Sequence, residues 1–275
     1  MERAFSILLL LLTCAFVASC GKEEPDLPEG EPVDVHIIIG QSNSIGRAAI
    51  YQLPPEYHKP LEGCYIFNRA NEQFELILTG VNTQSEKGQF GPVVQAAKLL
   101  REYKGQNVYF IVAGVGGSQL YKSGTQELLD WHPDSEELIL QTKQTIEEAR
   151  ATLLAQGKAP QFKSIAWWQG EHDSFNEAKA LAYQENETAL FKAFDQVPYL
   201  SKAKRVVYKI FSDADILPHA ATINAAKAKR AASDPRTVAV IETDGYTRIP
   251  NDRIHATDTG QLQAGRDLFN AIKDL

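Results

Sequence analysis

The sequence is poor in cysteine and has no excess of positive charge. Three Cys among 275 residues are too few for a disulfide framework, which excludes the small disulfide-stapled scaffolds. Lys and Arg number 28 against 35 Asp and Glu, and the net charge of -7 argues against nucleic acid or a bare anionic membrane as a partner. There is no internal repeat, and the composition excludes collagen and low-complexity chains. An ordinary globular protein remains, and at this length one domain is expected.

One hydrophobic run stands at the N-terminus. It extends from Phe5 to Val17 behind Arg3 and is too short for a stable transmembrane helix, which predicts a signal peptide over residues 1–19. The run ends in Val-Ala-Ser-Cys-Gly, which resembles the lipobox of bacterial lipoproteins, so Cys20 is the expected lipidation site. A plain secretory signal cut nearby is the alternative.

A charged, proline-containing stretch follows the predicted signal. Residues 20–32, CGKEEPDLPEGEP, are unsuited to a packed core and are expected to form a flexible tether. The protein is therefore predicted to be an exported lipoprotein, held in the periplasm, at the outer membrane or at the cell surface by its lipid alone. Residues 33–275 form the predicted single domain, in which Cys64 remains as a buried free thiol.

Short apolar runs alternate with longer amphipathic segments through this domain. The runs are near-continuous, as in a parallel sheet covered on both faces, and they predict five core strands at 33–39, 107–112, 163–168, 205–211 and 237–242. Helical patterns lie between and after them, at 92–104, 135–156, 177–194, 219–232 and 258–273. This alternation predicts βαβ units and a doubly wound α/β sheet. The segment 51–89 is the exception and predicts a small inserted hairpin.

Two sequence blocks follow the first two predicted strands. Gln41, Ser42 and Asn43 come directly after the first strand and its Gly40, where a sharp turn would expose a nucleophilic hydroxyl at the sheet edge. A polar turn without chemistry is the alternative. The second block, AGVGGS at 113–118, has glycines that can turn backbone N–H groups inward, as an oxyanion hole requires. A mere tight turn is the alternative there; a phosphate loop lacks its Lys-Ser/Thr pair.

Two further blocks carry amide and ionisable side chains. The third predicted strand ends in Gln169, whose amide can donate to an oxyanion, followed after one glycine by Glu171. Consecutive acidic and His residues here do not predict a metal site, because ligands at adjacent positions diverge and no matching spacing exists elsewhere. Asp252 and His255 lie three residues apart before the last helix, a separation that lets a carboxylate orient an imidazole. A surface salt bridge or helix cap is the alternative.

Taken together and in this order, the four blocks resemble the sialate O-acetylesterase and acetylxylan esterase family, a branch of the SGNH hydrolases. The blocks are GQSN, GVGGS, WWQGEHD and DRIH. The match spans almost the whole mature chain. The resemblance implies a three-layer α/β/α sandwich with a flavodoxin-like sheet of five parallel strands. The turn at residues 40–44 differs from the Gly-x-Ser-x-Gly turn of the α/β-hydrolases, since Ser44 occupies the last glycine position.

The resemblance also implies roles for individual residues. Ser42 would be the nucleophile, His255 the general base, and Asp252 the residue that orients His255, with Glu171 sharing or taking over that last contact. The oxyanion and substrate-binding set would comprise Gln41, Asn43, Gly116, Gly117 and Gln169. Of the two glycines, Gly117 aligns better with the family pattern.

The function implied is removal of O-acetyl groups from a carbohydrate, of the acetylxylan or sialic acid type, through an acetyl-serine intermediate. No metal and no organic cofactor is expected, and the acetylated carbohydrate is the expected partner. The residues by themselves support only acyl transfer. Two alternatives stay open: another acyl-ester hydrolase or acyltransferase on the same residues, and an inactive lipid-anchored glycan-binding protein.

Overall fold

The computed structural model describes residues 29–123 and 129–275. A seven-stranded sheet forms its centre, in the order β4-β3-β6-β1-β7-β8-β9, and β2 and β5 form a separate two-stranded sheet. The strands are β1 (Glu31–Gly40), β2 (Ala48–Ala49), β3 (Leu61–Asn68), β4 (Gln73–Ile77), β5 (Gln89–Phe90), β6 (Val108–Val112), β7 (Lys158–Trp168), β8 (Lys204–Tyr208) and β9 (Thr237–Ile241).

The five predicted parallel strands are present as the contiguous run β6-β1-β7-β8-β9. The predicted hairpin within 51–89 is present as β3 and β4, but the expected sheet was too small, because this hairpin joins it. Its first strand, β3, pairs in parallel with β6, with Cys64 beside Val108, and β4 pairs antiparallel with β3 at the edge. Apolar side chains of β3 are buried, as Cys64 and Ile66 illustrate, so the hairpin extends the core instead of covering it.

Six helices connect or follow the strands: α1 (Ser42–Ile45), α2 (Val93–Lys104), α3 (Leu138–Ala155), α4 (Glu177–Asp195), α5 (Ala220–Ser233) and α6 (Asp258–Ile272). All five predicted helical segments are present. Helix α6 is capped by Thr257, whose side chain accepts the Gly260 N–H. The helix α3 begins three residues later than expected, since residues 133–135 form a separate 3-10 turn.

The helices make the outer layers of the predicted three-layer sandwich. Helix α2 packs on α6, and α4 packs on α5. Right-handed crossovers put the first pair on one face of the sheet and the second pair on the other. From β1 the chain runs to β3 and β6 on one side, and then crosses to β7 on the other. The carboxyl end of β1 is therefore the switch point where α/β sheets bind ligands.

A glycine fixes the geometry at that switch point. Gly40, the last residue of β1, has φ +135, and a Cβ atom there would lie 2.0 Å from the Trp168 carbonyl oxygen. Only glycine fits so close an approach of two backbones. The strands β1 and β7 thus end side by side, which brings the segments that follow them together.

The predicted signal peptide, Cys20 and residues 20–28 of the predicted tether lie outside the described residues, and they stay predictions. Within the tether's remaining residues, β1 begins at Glu31, two residues before the expected strand, and pairs with Lys158 of β7. None of the helices in 29–123 and 129–275 has the length and apolar character needed to cross a membrane.

Candidate active site

Ser42 lies on the turn that leaves β1. The Gln41 N–H donates to the Trp168 carbonyl at 2.9 Å, which ties this turn to the end of β7. Ser42 then begins the short helix α1, closed by the Gly46 N–H donating to the Ser42 carbonyl. The Ser42 hydroxyl is thereby held over the carboxyl edge of the sheet by backbone contacts on both sides.

His255 and Asp252 face Ser42 from the loop between β9 and α6. The His255 Nε2 atom is 2.8 Å from the Ser42 Oγ atom, and Nδ1 is 2.6 Å from the Asp252 Oδ2 atom. A carboxylate on Nδ1 keeps the proton there, so that Nε2 is free to accept the hydroxyl proton. The structure brings the Asp252–His255 pair to Ser42, 213 positions before His255, in the geometry of a nucleophile, a base and its orienting acid.

The Asp252 carboxylate is held by more than the imidazole. Its Oδ1 atom accepts the Ile254 N–H at 2.7 Å and the His255 N–H at 2.8 Å. Burial opposes ionisation, but the hydrogen bonds from the His255 ring and from these two backbone groups outweigh it and lower the pKa of Asp252 below its usual range. Asp252 is therefore a carboxylate at neutral pH and makes the contact to His255.

Asn43, predicted to bind the oxyanion or substrate, points inward instead. Its side chain is fully buried, and Nδ2 donates to the Glu171 Oε1 atom at 2.7 Å and to the Ile254 carbonyl at 2.9 Å. Its Oδ1 atom accepts the Ala256 N–H at 3.1 Å. The amide thus connects the turn of the nucleophile to both neighbours of His255, and no donor is left for substrate.

Glu171 supports Asn43 and makes no hydrogen bond to His255 within the described part of the chain. Burial raises the pKa of Glu171, although the Asn43 hydrogen bond acts in the opposite direction. Two carboxyl groups were considered for orienting the imidazole. Asp252 contacts the His255 ring directly, whereas Glu171 contacts the Asn43 side chain.

Gln169, predicted to donate to the oxyanion, is also turned into the protein. Its side chain is fully buried, and Nε2 donates to the Asp173 Oδ2 atom at 2.6 Å and to the Ser118 carbonyl and Gln41 Oε1 atoms, both at 3.2 Å. Tyr183 donates to its Oε1 atom at 3.0 Å. Because internal acceptors take the amide hydrogens, Gln169 braces the loops around the site and does not present a donor to it.

Gln41, grouped with the same predicted set, has a similar position. Its Oε1 atom also accepts the backbone N–H groups of Gly170 at 3.3 Å and His172 at 3.4 Å. These bonds fasten the turn after β1 to the turn after β7. The side chain is a brace between the two loops.

The loop after β6 brings a glycine to the nucleophile. A Cβ atom on Gly116 would lie 4.0 Å from the Ser42 Cβ atom, whereas one on Gly117 would have nothing within 4 Å. The Cβ direction of Gly116 therefore faces Ser42. The N–H groups of both glycines donate to no described residue, so the choice between Gly116 and Gly117 as oxyanion donor stays a prediction. The N–H groups of Ser42 and Gly116 donate to no residue that the structure describes, so both are available to an oxyanion.

Arg47 also lies near the site, although no sequence pattern pointed to it. Its Nη2 atom lies 3.1 Å from the position a Cβ would take on Gly116, and its Nη1 atom pairs with Glu86. The buried Nε atom has no hydrogen-bond partner among the described residues. A guanidinium thus lies over the glycine that faces Ser42. A lone Arg in a loop carries no pattern that could have identified it.

The arrangement supplies a nucleophilic oxygen, a base, an orienting carboxylate and two N–H donors, which is the equipment of acyl transfer. Across 29–123 and 129–275, His, Cys, Asp and Glu side chains form no group of three that could hold a metal ion.

The sequence matches one known protein family. A family model described as carbohydrate esterase, sialic acid-specific acetylesterase, matches residues 32–274. No curated protein matches the sequence.

Three solved structures share the fold. A protein from Arabidopsis thaliana is 19% identical with a TM-score of 0.69, covering 88% of this chain and 98% of its own. NanS is 13% identical with a TM-score of 0.63, and the match covers 90% of this chain and 99% of the NanS chain. A carbohydrate acetylesterase from Xanthomonas citri is 16% identical with a TM-score of 0.58, covering 86% of this chain and 55% of its own.

These structural likenesses confirm the layered α/β fold, and the family match adds the chemistry. The chain belongs to the carbohydrate esterase family of sialic acid-specific acetylesterases, and it is a carbohydrate O-acetylesterase.

Proposed function

We propose that the enzyme removes acetyl groups through a covalent acetyl-serine on Ser42. The observation that carries this proposal is the continuous chain of contacts from Ser42 Oγ to His255 Nε2, at 2.8 Å, and from His255 Nδ1 to Asp252, at 2.6 Å. A hydroxyl is a weak nucleophile until an adjacent base takes its proton, and this geometry provides that base.

In the first half of the reaction, Ser42 Oγ attacks the acetyl carbonyl carbon while His255 Nε2 takes the hydroxyl proton. The carbonyl oxygen becomes an oxyanion, which the N–H groups of Ser42 and Gly116 stabilise. Removing one such donor typically costs about 10²- to 10³-fold in kcat. The tetrahedral intermediate then collapses, the bond to the sugar oxygen breaks, and His255 returns the proton to that oxygen. The deacetylated sugar leaves, and acetyl-Ser42 remains.

In the second half, water replaces the sugar. His255 takes a proton from the water as its oxygen attacks the acetyl carbon of acetyl-Ser42, and the same two N–H groups stabilise the second oxyanion. Collapse breaks the bond to Ser42 Oγ, which regains the proton from His255. Acetate is released and the enzyme is restored. Asp252 stays ionised throughout and stabilises the imidazolium that forms twice.

Within the carbohydrate class, we propose an acidic sugar of the sialic acid type over a neutral acetylxylan. The family description supports this choice. The Arg47 guanidinium gives a second, physical support: Nη1 is taken by Glu86, but Nη2 lies 3.1 Å from the Cβ position of Gly116, where its positive charge favours an acidic sugar over a neutral one.

The test is acetate release from acetylated sialic acid, acetylated xylan and 4-nitrophenyl acetate, by the wild-type protein and by Ser42→Ala. We expect the variant to lose turnover by a factor on the order of 10⁶, as when a triad nucleophile is removed, while its circular dichroism stays unchanged. Ser233→Ala, on an exposed helix end, is the matched control and should keep wild-type rates. A folded Ser42→Ala protein with most of its activity would contradict the proposed nucleophile.

The triad geometry favours turnover over a purely glycan-binding role, because no binding function needs a hydroxyl, an imidazole and a carboxylate in line. An acyltransferase on the same residues is distinguished by adding a sugar alcohol to the assay. Acetyl transfer to that alcohol in preference to water would overturn the hydrolase assignment.

A further inference from the structure

The loop that carries Asp252 and His255 is a small closed turn. Its ends are joined by the Ile249 N–H donating to the His255 carbonyl at 2.8 Å, and its interior by the Arg253 N–H donating to the Ile249 carbonyl at 2.8 Å. Arg253 itself has φ 58, a left-handed conformation that non-glycine residues adopt at some cost. The residue between the acid and the base is thus held in an unfavourable backbone state.

One side of this loop is fastened to the nucleophile turn by Asn43. The other side is fastened to Asp213, in the segment that follows β8. Arg253 donates to Asp213 through Nη2, at 2.8 Å to Oδ1 and 2.7 Å to Oδ2, and through Nε, at 3.0 Å to Oδ2. Arg248 donates through Nη1 to Asp213 Oδ2 at 2.8 Å and to the Arg253 carbonyl at 3.3 Å. A single carboxylate therefore receives two guanidinium groups from the two ends of the loop.

The surroundings of Asp213 fit this arrangement. Its side chain is 8% exposed, whereas those of Arg248 and Arg253 are 33% and 44% exposed. The two guanidinium groups therefore cover the carboxylate from the solvent side. Burial alone would raise the pKa of Asp213, but the hydrogen bonds from Arg253 and Arg248 outweigh it and hold the pKa below its usual range.

We infer that Asp213 is a positioning residue for the triad: it holds the Asp252–His255 loop in register with Ser42 by clamping Arg253 and Arg248. This inference rests on the proposed function. A shift of about 1 Å in a catalytic group can cost about 100-fold in rate. Ion pairs whose arginines stay partly exposed contribute modestly to folding stability, and a bidentate pair of this kind lies at the upper end of that range. The clamp is therefore expected to act on the rate much more than on the stability.

The test compares Asp213→Asn with Asp215→Asn, measuring kcat, KM and the thermal midpoint with 4-nitrophenyl acetate. Asp215 lies in the same segment, but its side chain is 87% exposed and its closest approach to Arg253 is 3.8 Å, which makes it the matched control. Asp213→Asn should lower kcat by about 10- to 100-fold with KM within about twofold and the thermal midpoint within a few degrees. Asp215→Asn should match wild type in all three.

A third variant, Arg253→Lys, separates positioning from folding. Lys keeps the charge but lacks the planar fork that binds both Asp213 oxygens, so kcat should lie between wild type and Asp213→Asn. If Asp213→Asn does not fold, Arg253→Lys decides alone, and its kcat must be reduced by more than about threefold at unchanged KM.

Wild-type kcat in a folded Asp213→Asn protein, or equal losses from Asp213→Asn and Asp215→Asn, would overturn the inference. Ser42→Ala, measured alongside, keeps the two proposals apart. Activity that survives Ser42→Ala contradicts the proposed nucleophile, whereas an inactive Ser42→Ala beside an unaffected Asp213→Asn contradicts the clamp alone.

Discussion

Asn43 joins the nucleophile to the base through one side chain. Its backbone follows Ser42, while its amide holds the Ile254 carbonyl and the Ala256 N–H, on either side of His255. The buried Asn43 side chain thus sets the distance between Ser42 and His255, and Glu171 holds that side chain by accepting a hydrogen bond from its Nδ2 atom. At the scale of single residues, the site is held by buried polar side chains whose hydrogen bonds go to other protein groups.

Variants of Asp252 and Glu171 distinguish the carboxyl group that orients the His255 ring from the one that holds Asn43. Asp252→Asn should lower kcat by about 10⁴-fold, because an amide can leave the imidazole in the wrong tautomer. Glu171→Gln should lower it by about tenfold or less, because Glu171 reaches His255 only through Asn43 and an amide oxygen can still accept that bond. The measurement is kcat for acetate release at neutral pH. A larger loss for Glu171→Gln than for Asp252→Asn would reverse the two roles.

The sequence blocks predicted which residues come together at the site better than they predicted the directions of the side chains. The order of the blocks led to Ser42, His255 and Asp252, and the structure brings them together. The side chains of Asn43 and Gln169 turn inward because their partners, Glu171, Ala256 and Asp173, come from other segments. Such directions depend on neighbours in space, which local spacing does not contain.

At the scale of elements, β1 does more than deliver Ser42. It is the central strand, paired with β6 on one side and β7 on the other. His36 lies inside it, with its Nδ1 atom 2.8 Å from the Ser164 Oγ atom of β7 and its ring stacked on Phe110 of β6. Burial lowers the pKa of His36 to about 3, so this imidazole is neutral in the folded protein.

The buried imidazole makes stability depend on pH. Its pKa is lower in the folded state than in the unfolded state, where it is near the ordinary 6.5, so between these values protons bind preferentially to the unfolded chain. The contribution of His36 is complete above pH 6.5 and is lost as the pH falls towards 3. From pH 7 to pH 5 the free energy of unfolding should fall by about 2 kcal/mol from this group.

The check is denaturant unfolding of wild type and His36→Phe at pH 7 and pH 5. Phe keeps the stacking on Phe110 but cannot bind a proton, so the variant should lose less stability than wild type on acidification. Other titrating groups contribute alike to both proteins and cancel in the comparison. Identical losses would mean that His36 is accessible to protons in the folded state.

The elements also show where sequence patterns stop. The apolar runs predicted the five parallel strands, and the helical patterns predicted the helices between them. The pairing of β3 with β6 was missed because a short strand inside a polar insertion has the same local pattern, whether it stands alone or continues a sheet. The strand that β3 pairs with, and the register of that pairing, depend on which strand of the sheet has an unpaired edge. That edge exists only once the rest of the sheet has assembled.

At the scale of the whole molecule, the sheet gathers loops that are distant in sequence. The segments after β1, β6 and β7 meet the loop before α6 at one edge, because parallel strands all end on the same side. The predicted lipid anchor belongs to a part of the chain outside the described residues. We propose that it holds this domain at a membrane surface, with the N-terminal residues as the spacer.

Fatty-acid labelling in a bacterial host tests the anchor. Wild type should incorporate an alkyne-tagged fatty acid, and Cys20→Ala should not, because the Cys20 thiol is the predicted acceptor of the lipid. Cys14→Ala is the matched control and should be labelled, since Cys14 lies within the predicted signal peptide. Labelling of Cys20→Ala, or its loss in Cys14→Ala, would contradict Cys20 as the site.

The sequence by itself determined the α/β class and the five central strands, and its four blocks led to Ser42, Asp252 and His255 as the proposed catalytic residues. Those features are local: apolar periodicity marks strands and helices, and each catalytic residue stands at the end of a recognisable block. Tertiary structure alone decided that Asp252 and not Glu171 contacts His255, that Gly116 faces Ser42, and that Asp213 clamps the loop of the base. These are contacts between segments far apart in the chain, and their geometry arises only when packing fixes the direction of each side chain.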